Sequence, residues 1–249
     1  MNITFSVQDY FQTPAINISS RSNQKTIVTT GKDSIEYVYN SYGYRTYEFT
    51  DIPEKYILTF GSSHTEGTGL HHGKSWTCYL EKFTGIKVYN LGIGGTTSSL
   101  IVRNITSWLS SDLPRPKNII IDWPPLCRLI YWNKKQGRLC SASHDNFILK
   151  YLLKLGDENF WLPWLEDITI VNELCKANNV SPIHLFLNAS NDDPLFVQTQ
   201  WYFKQNNIEI HIDEKLPGKS WLFDNQAADE HHHSELCHQS WAGRIAKLI

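Results

Sequence analysis

The chain has few cysteines, and they lack the spacings that disulfide-rich proteins use. Five cysteines occur among 249 residues, widely separated and without a C-x-x-C pair. A disulfide framework usually shows an even set of cysteines in a short secreted chain. We therefore expect reduced, mostly buried thiols.

Long apolar runs and a strong charge bias are also missing. No segment approaches the roughly 20 apolar residues of a membrane span, and residues 1–10 contain no hydrophobic signal-peptide core. The net charge is −2, from 23 basic and 25 acidic residues, so no basic face for nucleic acid is expected. These absences predict a soluble globular chain that starts in the cytoplasm, with no membrane span and no nucleic-acid partner. A particle-borne or exported location stays open.

Aromatic side chains, in contrast, are plentiful. The sequence contains nine Trp, twelve Tyr and eleven Phe. They fit either large core residues or a surface on which sugars or acyl chains pack. At 249 residues, the chain is long enough for one large domain with a well-buried core.

Strand-like and helix-like segments alternate from residue 55 onward. The run Tyr56–Phe60 is almost wholly apolar, as in a strand that is buried on both faces. Further strands are predicted at 86–91, 118–123, 181–187 and 208–212, and helices at 76–83, 98–109, 164–177 and 234–248. This alternation predicts an α/β fold with a parallel sheet and helices on both faces. In such sheets, sites form beyond the carboxyl ends of the strands.

The N-terminal region differs in composition from the rest. Residues 1–54 are polar and aromatic, and 35–39 alternate like a strand. We predict a β-rich segment over 1–54 that packs on a main domain of 55–249. Within the main domain, 133–160 is expected to be an irregular surface insertion.

A serine follows the first strand of the main domain on a turn bounded by glycines. The segment reads GSSHTEG at 61–67, so Ser63 lies where a strand passes into a helix. There, its hydroxyl can act as a nucleophile, and its backbone N–H can point at a developing oxyanion, aided by the helix dipole. The alternative is a serine that only caps the helix.

An acid and an imidazole stand three positions apart near residue 230. Asp229 precedes His232, which lies in the histidine run 231–233. In a tight turn, Asp229 can orient His232 as a general base for Ser63. The alternatives are a capping role for Asp229 and a metal site on the histidine run. Because a histidine base must be neutral to act, activity is expected to fall in acid.

The turn after the second strand of the main domain is rich in glycine. It reads NLGIGGTT at 90–97, where Gly95 can present its N–H without side-chain obstruction. The spacing fits neither of the common phosphate-binding glycine loops, so a nucleotide site is not expected.

Together these segments resemble the SGNH hydrolase superfamily, also called GDSL esterases and lipases. The resemblance covers about residues 55–249. It implies that Ser63 is the nucleophile and that Gly95 is a backbone oxyanion donor. It also implies that Asp229 and His232 form the D-x-x-H motif ahead of the last helix. The implied fold is a three-layer α/β/α, flavodoxin-like domain with five parallel strands, and the implied reaction is ester hydrolysis through an acyl-enzyme, without metal or organic cofactor.

Two positions depart from the pattern of the superfamily. Ser62 stands where the motif usually has an Asp that is not the triad acid. After the third strand of the domain, the superfamily has G-x-N-D, whose Asn completes the oxyanion hole, whereas this chain reads DWPPLCR at 122–128. Losing one such donor typically costs about 10²–10³ in rate. Asn188 and Arg128 are the candidate stand-ins, although a strand-end turn and a solvated charge are simpler explanations for them.

The sequence supports three hypotheses on function. The first is a serine esterase that hydrolyses an O-acyl ester, with O-acetyl groups on a carbohydrate as the expected substrate. The second is a non-catalytic module on the same fold that binds a glycan or a protein, with the aromatic segment 35–49 as its docking surface. The third is an O-acyltransferase that uses the same residues. Labelling of Ser63 by a fluorophosphonate separates the second hypothesis from the other two.

Overall fold

The α/β architecture predicted from the sequence is confirmed. The computed structural model describes residues 21–29, 33–125, 129–133, 138–142, 158–187, 194–212, 227 and 232–249. These residues form a central five-stranded sheet with helices on both faces, together with two small hairpins.

The elements follow the predicted alternation of strand and helix. An N-terminal hairpin consists of β1 (Lys25–Thr29) and β2 (Ser34–Val38). The chain continues with β3 (Tyr56–Phe60), α1 (Ser63–Glu66), α2 (Trp76–Thr84), β4 (Lys87–Asn90), α3 (Ser98–Leu109) and β5 (Asn118–Asp122). Then follow β6 (Leu129–Asn133), β7 (Arg138–Ala142), α4 (Glu158–Ala177), β8 (Ser181–Phe186), α5 (Pro194–Gln205), β9 (Ile210–Ile212) and α6 (Glu235–Ile245), with a 3₁₀ turn at Ala246–Leu248.

The central sheet has the order β4-β3-β5-β8-β9, and every neighbouring pair of strands is parallel. From β3 the chain moves outward to β4 and then returns to place β5 on the other side of β3. This reversal is the switch point at which open α/β sheets form their sites. Because all five strands are parallel, Ser63 after β3 and Trp123 after β5 lie at the same edge of the sheet.

The two faces of the sheet explain why its strands are apolar on both sides. In β3, Tyr56, Leu58 and Phe60 join the core formed with α3 and α4, whereas Ile57 joins the core formed with α2 and α6. Five tryptophans are buried in these cores or at their edge, which supports the core interpretation of those rings: Trp76, Trp108, Trp123, Trp164 and Trp241.

The N-terminal region contributes to the first of these cores. The Phe49 ring packs edge-on against Trp108, with ring centroids 5.1 Å apart, and Tyr44 is fully buried in the same cluster. The boundary drawn between residues 54 and 55 stays a prediction.

Two local predictions were wrong. The segment 133–160 was expected to be irregular, but β7 pairs with β6 inside it, and α4 begins at Glu158 instead of 164. Pro163 lies inside α4, although proline disfavours a helix interior. The helix α5 was not predicted. Among the described side chains, Cys78, Cys175 and Cys237 are reduced, and Cys175 and Cys237 are buried, as expected.

Candidate functional site

Ser63 opens α1 at the carboxyl edge of the sheet. Ser62 occupies the N-cap position without a side-chain capping bond, so Ser63 is not the helix cap. Ser63 is only 8% exposed. A methyl group on Gly61 would lie 2.1 Å from Thr65 Oγ1, so only glycine lets the chain turn this sharply into α1.

Asp122, the last residue of β5, fixes α1 to the neighbouring strand. The Thr65 hydroxyl donates to Asp122 Oδ2 at 3.2 Å, and the Leu187 N–H donates to Asp122 Oδ1 at 3.3 Å. The carboxylate is buried, and these hydrogen bonds join α1 to the end of β8. Asp122 was not among the predicted site residues, although an acid that closes an apolar strand is a recognisable signal in the sequence.

The Gly95 turn lies directly against α1. Asn90 Nδ2 donates to the Thr65 carbonyl at 2.6 Å, and Asn90 Oδ1 accepts from the Gly92 N–H at 2.9 Å. A methyl group on Gly92 would lie 2.5 Å from the Glu66 backbone nitrogen. Asn90 and Gly92 therefore bring the turn into contact with the segment that carries Ser63. Gly95 itself has φ +75°, which glycine adopts without steric cost.

His232 and His233 pack against the residue that follows Ser63. The His64 ring centroid lies 5.4 Å from that of His232 and 4.9 Å from that of His233. Trp241 of α6 contacts the rings of both His64 and His233, at 5.9 and 5.0 Å. The C-terminal histidines and the serine turn, which are far apart in sequence, thus meet at one edge of the sheet. We refer to His64, His232, His233 and Trp241 as the histidine cluster.

Helix α6 is anchored to the N-terminal end of α2. The Trp76 N–H donates to His238 Nδ1 at 3.1 Å, and burial lowers the pKa of His238 to about 3, with His233 and His232 adding to the effect. The Tyr79 hydroxyl donates to Glu235, which also pairs with Lys74 at 2.7 Å. These contacts fix the helix that follows His232.

Three of the predicted site residues cannot be described in the same way. Asp229, Asn188 and Arg128 lie outside the described residues. The nearest described point before His232 is Ala227, whose N–H donates to the His232 carbonyl at 2.8 Å. The catalytic roles of Ser63 and His232 stay predictions.

A buried pair joins Trp123, directly after β5, to His184 of β8. Trp123 Nε1–H donates to His184 Nδ1 at 3.0 Å, and the two rings stack with centroids 5.9 Å apart. Burial lowers the pKa of His184 to about 4, with His211 and Lys176 adding to the effect, so the ring is neutral and accepts this bond. Because an indole has one N–H and His184 accepts it, the Trp123 side chain has no further donor to offer a ligand.

In the described part of the chain, no group of three or more His, Cys, Asp or Glu side chains is arranged to hold a metal ion. None of the helices in this part combines the length and apolarity that crossing a membrane requires.

Comparison with solved structures gives the class of fold, that of the GDSL/SGNH lipolytic proteins and esterases. A lipolytic G-D-S-L family protein from Desulfitobacterium hafniense DCB-2 matches 79% of this chain and 100% of its own, at 15% identity and TM-score 0.50. A member of the same family from Veillonella parvula DSM 2008 matches 78% and 98%, at 17% identity and TM-score 0.50. An acetyl xylan esterase from Butyrivibrio proteoclasticus matches 81% of this chain and 65% of its own, at 12% identity and TM-score 0.51.

These likenesses confirm the fold that the resemblance implied. No family model and no curated protein matches the sequence.

Proposed function

We propose that the protein is a serine esterase that hydrolyses an O-acyl ester through an acyl-enzyme intermediate. Support comes from one contact above all: His232 lies against His64, the neighbour of Ser63 in the chain, with ring centroids 5.4 Å apart. A serine at a strand–helix turn and a histidine just ahead of the last helix are the nucleophile and base that this chemistry needs.

In the proposed mechanism, Ser63 Oγ attacks the ester carbonyl while His232 removes the hydroxyl proton. The carbonyl oxygen becomes an oxyanion, which accepts hydrogen bonds from the N–H groups of Ser63 and Gly95. The carbon–oxygen bond to the alcohol then breaks, and His232 returns the proton to the departing alkoxide. Water, deprotonated by His232, cleaves the acyl-enzyme in the same way. Asp229 orients His232 and stabilises its imidazolium form.

The proposed substrate is an O-acetyl group on a carbohydrate. The aromatic content of the chain is consistent with sugar binding, and one structural neighbour is an acetyl xylan esterase. Asn188 and Arg128 are the candidates for the oxyanion donor that the usual Asn would supply. If neither side chain replaces the missing donor, kcat should be lower than with a complete oxyanion hole by about 10²–10³-fold.

Replacing the nucleophile tests the proposal directly. Ser63→Ala should lower kcat on p-nitrophenyl acetate by at least about 10⁴-fold and abolish labelling by a fluorophosphonate. Ser62→Ala is the matched control, because the Ser62 side chain makes no capping bond, and it should keep kcat within about tenfold. Wild-type activity in Ser63→Ala would show that the nucleophile is elsewhere.

A non-catalytic binding module is the second candidate, and the Trp123–His184 pair favours it. The sequence has no Asn where the superfamily pattern has its oxyanion donor after the third strand of the domain, and the Trp123 N–H found there is bonded to His184. If wild-type protein neither hydrolyses activated esters nor reacts with the fluorophosphonate, yet binds a glycan, this candidate is the better one. An O-acyltransferase would instead label at Ser63 and pass acetyl groups to an added acceptor hydroxyl faster than to water.

A further inference from the structure

We propose that Glu66, paired with Arg21, is a positioning residue that holds the Gly94–Gly95 turn in the shape needed for oxyanion binding. The proposal rests on the proposed esterase function. It assigns a role in the site to a buried carboxylate of α1 and to an arginine of the N-terminal region.

The Glu66 carboxylate bonds directly to the turn. Its Oε2 accepts from the Gly94 N–H at 2.8 Å, and the Thr68 hydroxyl donates to the same oxygen at 3.4 Å. The Glu66 side chain is only 5% exposed. A hydrogen bond from a backbone N–H to a charged, buried acceptor is among the stronger ones in proteins, so it fixes the position of Gly94.

Arg21 satisfies the other oxygen of this carboxylate. Its Nη1 lies 2.7 Å from Glu66 Oε1, and its side chain is 21% exposed. The guanidinium also lies over the Tyr39 ring, 5.0 Å from the centroid. A buried carboxylate is tolerated only when it is paired and hydrogen-bonded. Without Arg21, an unpaired negative charge would stand beside a loop that is proposed to bind an oxyanion.

The N-terminal region holds Arg21 in place. The Ser22 hydroxyl donates to the Ser41 carbonyl at 2.5 Å, and the Asn23 N–H donates to the Asn40 carbonyl at 3.0 Å. Residues 21–23 are thereby tied to the segment that follows β2. Through Arg21, the N-terminal segment predicted over 1–54 thus reaches the candidate site.

Gly94, which bonds to Glu66, is next in sequence to Gly95, the proposed oxyanion donor. The Thr96 N–H donates to the Ile93 carbonyl at 3.1 Å, which closes a four-residue turn with Gly94 and Gly95 at its centre. The Ile93 N–H donates to the Gly61 carbonyl at 2.9 Å. With Ile93 and Gly94 both fixed, the direction of the next N–H, that of Gly95, is set by the turn. Loss of the bond to Glu66 would leave Gly94 held less firmly, while Ile93 would keep its bond to Gly61.

The test compares Glu66→Ala and Glu66→Gln with wild-type protein on p-nitrophenyl acetate. We expect Glu66→Ala to lower kcat by about 10²-fold, because a displacement of about 1 Å in a positioned group can cost that much. Glu66→Gln keeps an acceptor for the Gly94 N–H and should recover most of this loss. Arg21→Met should lower kcat about tenfold. KM should change by no more than about twofold in each variant.

A second measurement separates positioning from stability. A phenylboronic acid forms a tetrahedral adduct on the serine and places an oxygen where the oxyanion forms, so its Kd should rise in parallel with the loss of kcat. Urea unfolding of each variant gives the folded fraction. The control is Glu36→Gln, which breaks an exposed pair of the same N-terminal hairpin, Lys25–Glu36 at 3.5 Å, and should change neither kcat nor the Kd.

The outcomes distinguish this inference from the proposed function. Parallel losses of kcat and boronate affinity at unchanged KM support the role of Glu66. Unchanged kcat in Glu66→Ala, or a loss explained by the unfolded fraction alone, overturns that role while leaving the esterase proposal intact. Wild-type protein without ester hydrolysis and without fluorophosphonate labelling overturns the proposed function, and this inference with it.

Discussion

The two sides of the candidate site are held by different kinds of contact. On the nucleophile side, comprising 61–66 and 90–96, backbone and side-chain hydrogen bonds cross between the two segments, and glycines allow them to touch. On the histidine side, ring packing joins His64 to His232 and His233, and Trp241 packs against His64 and His233. The Ala227 N–H also donates to the His232 carbonyl. Close backbone packing leaves no room for an added methyl group, whereas ring packing depends on the volume of the side chains. The nucleophile side should therefore be the more sensitive to an added atom, and the histidine side to the loss of a ring.

Apart from loss of the nucleophile itself, the largest expected effect comes from removing the base. His232→Ala should lower kcat on p-nitrophenyl acetate by about 10²–10⁴-fold, the range typical of general acid–base catalysis, with KM nearly unchanged. His233→Ala removes a neighbouring ring that packs on Trp241 and should cost no more than about tenfold. Equal losses in the two variants would mean that the cluster acts structurally and that His232 has no special role.

The next effect tests how tightly the nucleophile side is packed. In Gly92→Ala the new methyl group would lie 2.5 Å from the Glu66 nitrogen, so the two segments must separate. We expect the free energy of unfolding to fall by about 2–3 kcal/mol, as in overpacked cores, and kcat to fall with it.

The same substitution on the histidine side is the control for Gly92→Ala. A methyl group on Gly243 in α6 would lie 3.9 Å from Phe83 Cε2, an ordinary contact. Because alanine favours a helix interior by up to about 1 kcal/mol over glycine, Gly243→Ala should be neutral or stabilising. Urea denaturation measures both variants, and a Gly92→Ala protein as stable as wild type would refute the close packing described here.

The smallest expected effect is a loss of stability at low pH, caused by His238 on the histidine side. The pKa of His238 is lowered to about 3 in the folded protein, whereas an unfolded histidine titrates near pH 6.5. Between these values the unfolded state binds more protons, so the free energy of unfolding falls as the pH falls, by about 1.4 kcal/mol per pH unit. From pH 7 to pH 5 the loss is about 2 kcal/mol. His238→Asn keeps an acceptor for the Trp76 N–H and should remove this slope in urea denaturation at the two pH values.

His184 provides the matched comparison on the other face of the sheet. Its pKa is lowered to about 4, so it should contribute a slope of the same sign over a narrower range of pH. His184→Asn is compared with His238→Asn by the pH dependence of the free energy of unfolding. If only His184→Asn removes that dependence, protonation of the core beside Trp123 destabilises the protein in acid, and protonation of His238 does not.

The sheet and its flanking helices were largely predictable from the sequence. The bounds of β3 and α3 agree with the prediction, since Tyr56–Phe60 is apolar on both faces and Thr97 caps an amphipathic helix by accepting from Leu100 N. Local signals of this kind depend on neighbours in sequence. The start of α4 was mispredicted by six residues: proline disfavours a helix interior, yet Pro163 lies inside α4.

The candidate site was predictable in its motifs but not in its supporting contacts. Glycine turns after parallel strands predicted that Ser63 and Gly95 lie at one edge of the sheet, as they do. The pairing of Arg21 with Glu66 spans 45 residues, and no spacing rule indicates it. The contact of His64 with His232 depends on how α6 packs, which the sequence pattern of either segment does not contain.

The bond from the Trp76 N–H to His238 joins positions 162 residues apart, and it has a consequence for how the protein is made. During synthesis, the serine turn leaves the ribosome long before His232 and the helix α6 that follows it. Contacts of such long range form late and slow folding, because the chain must close a large loop first. A nascent chain that ends before His232 would therefore hold its hydroxyl without the proposed base, and the site would be complete only when α6 docks.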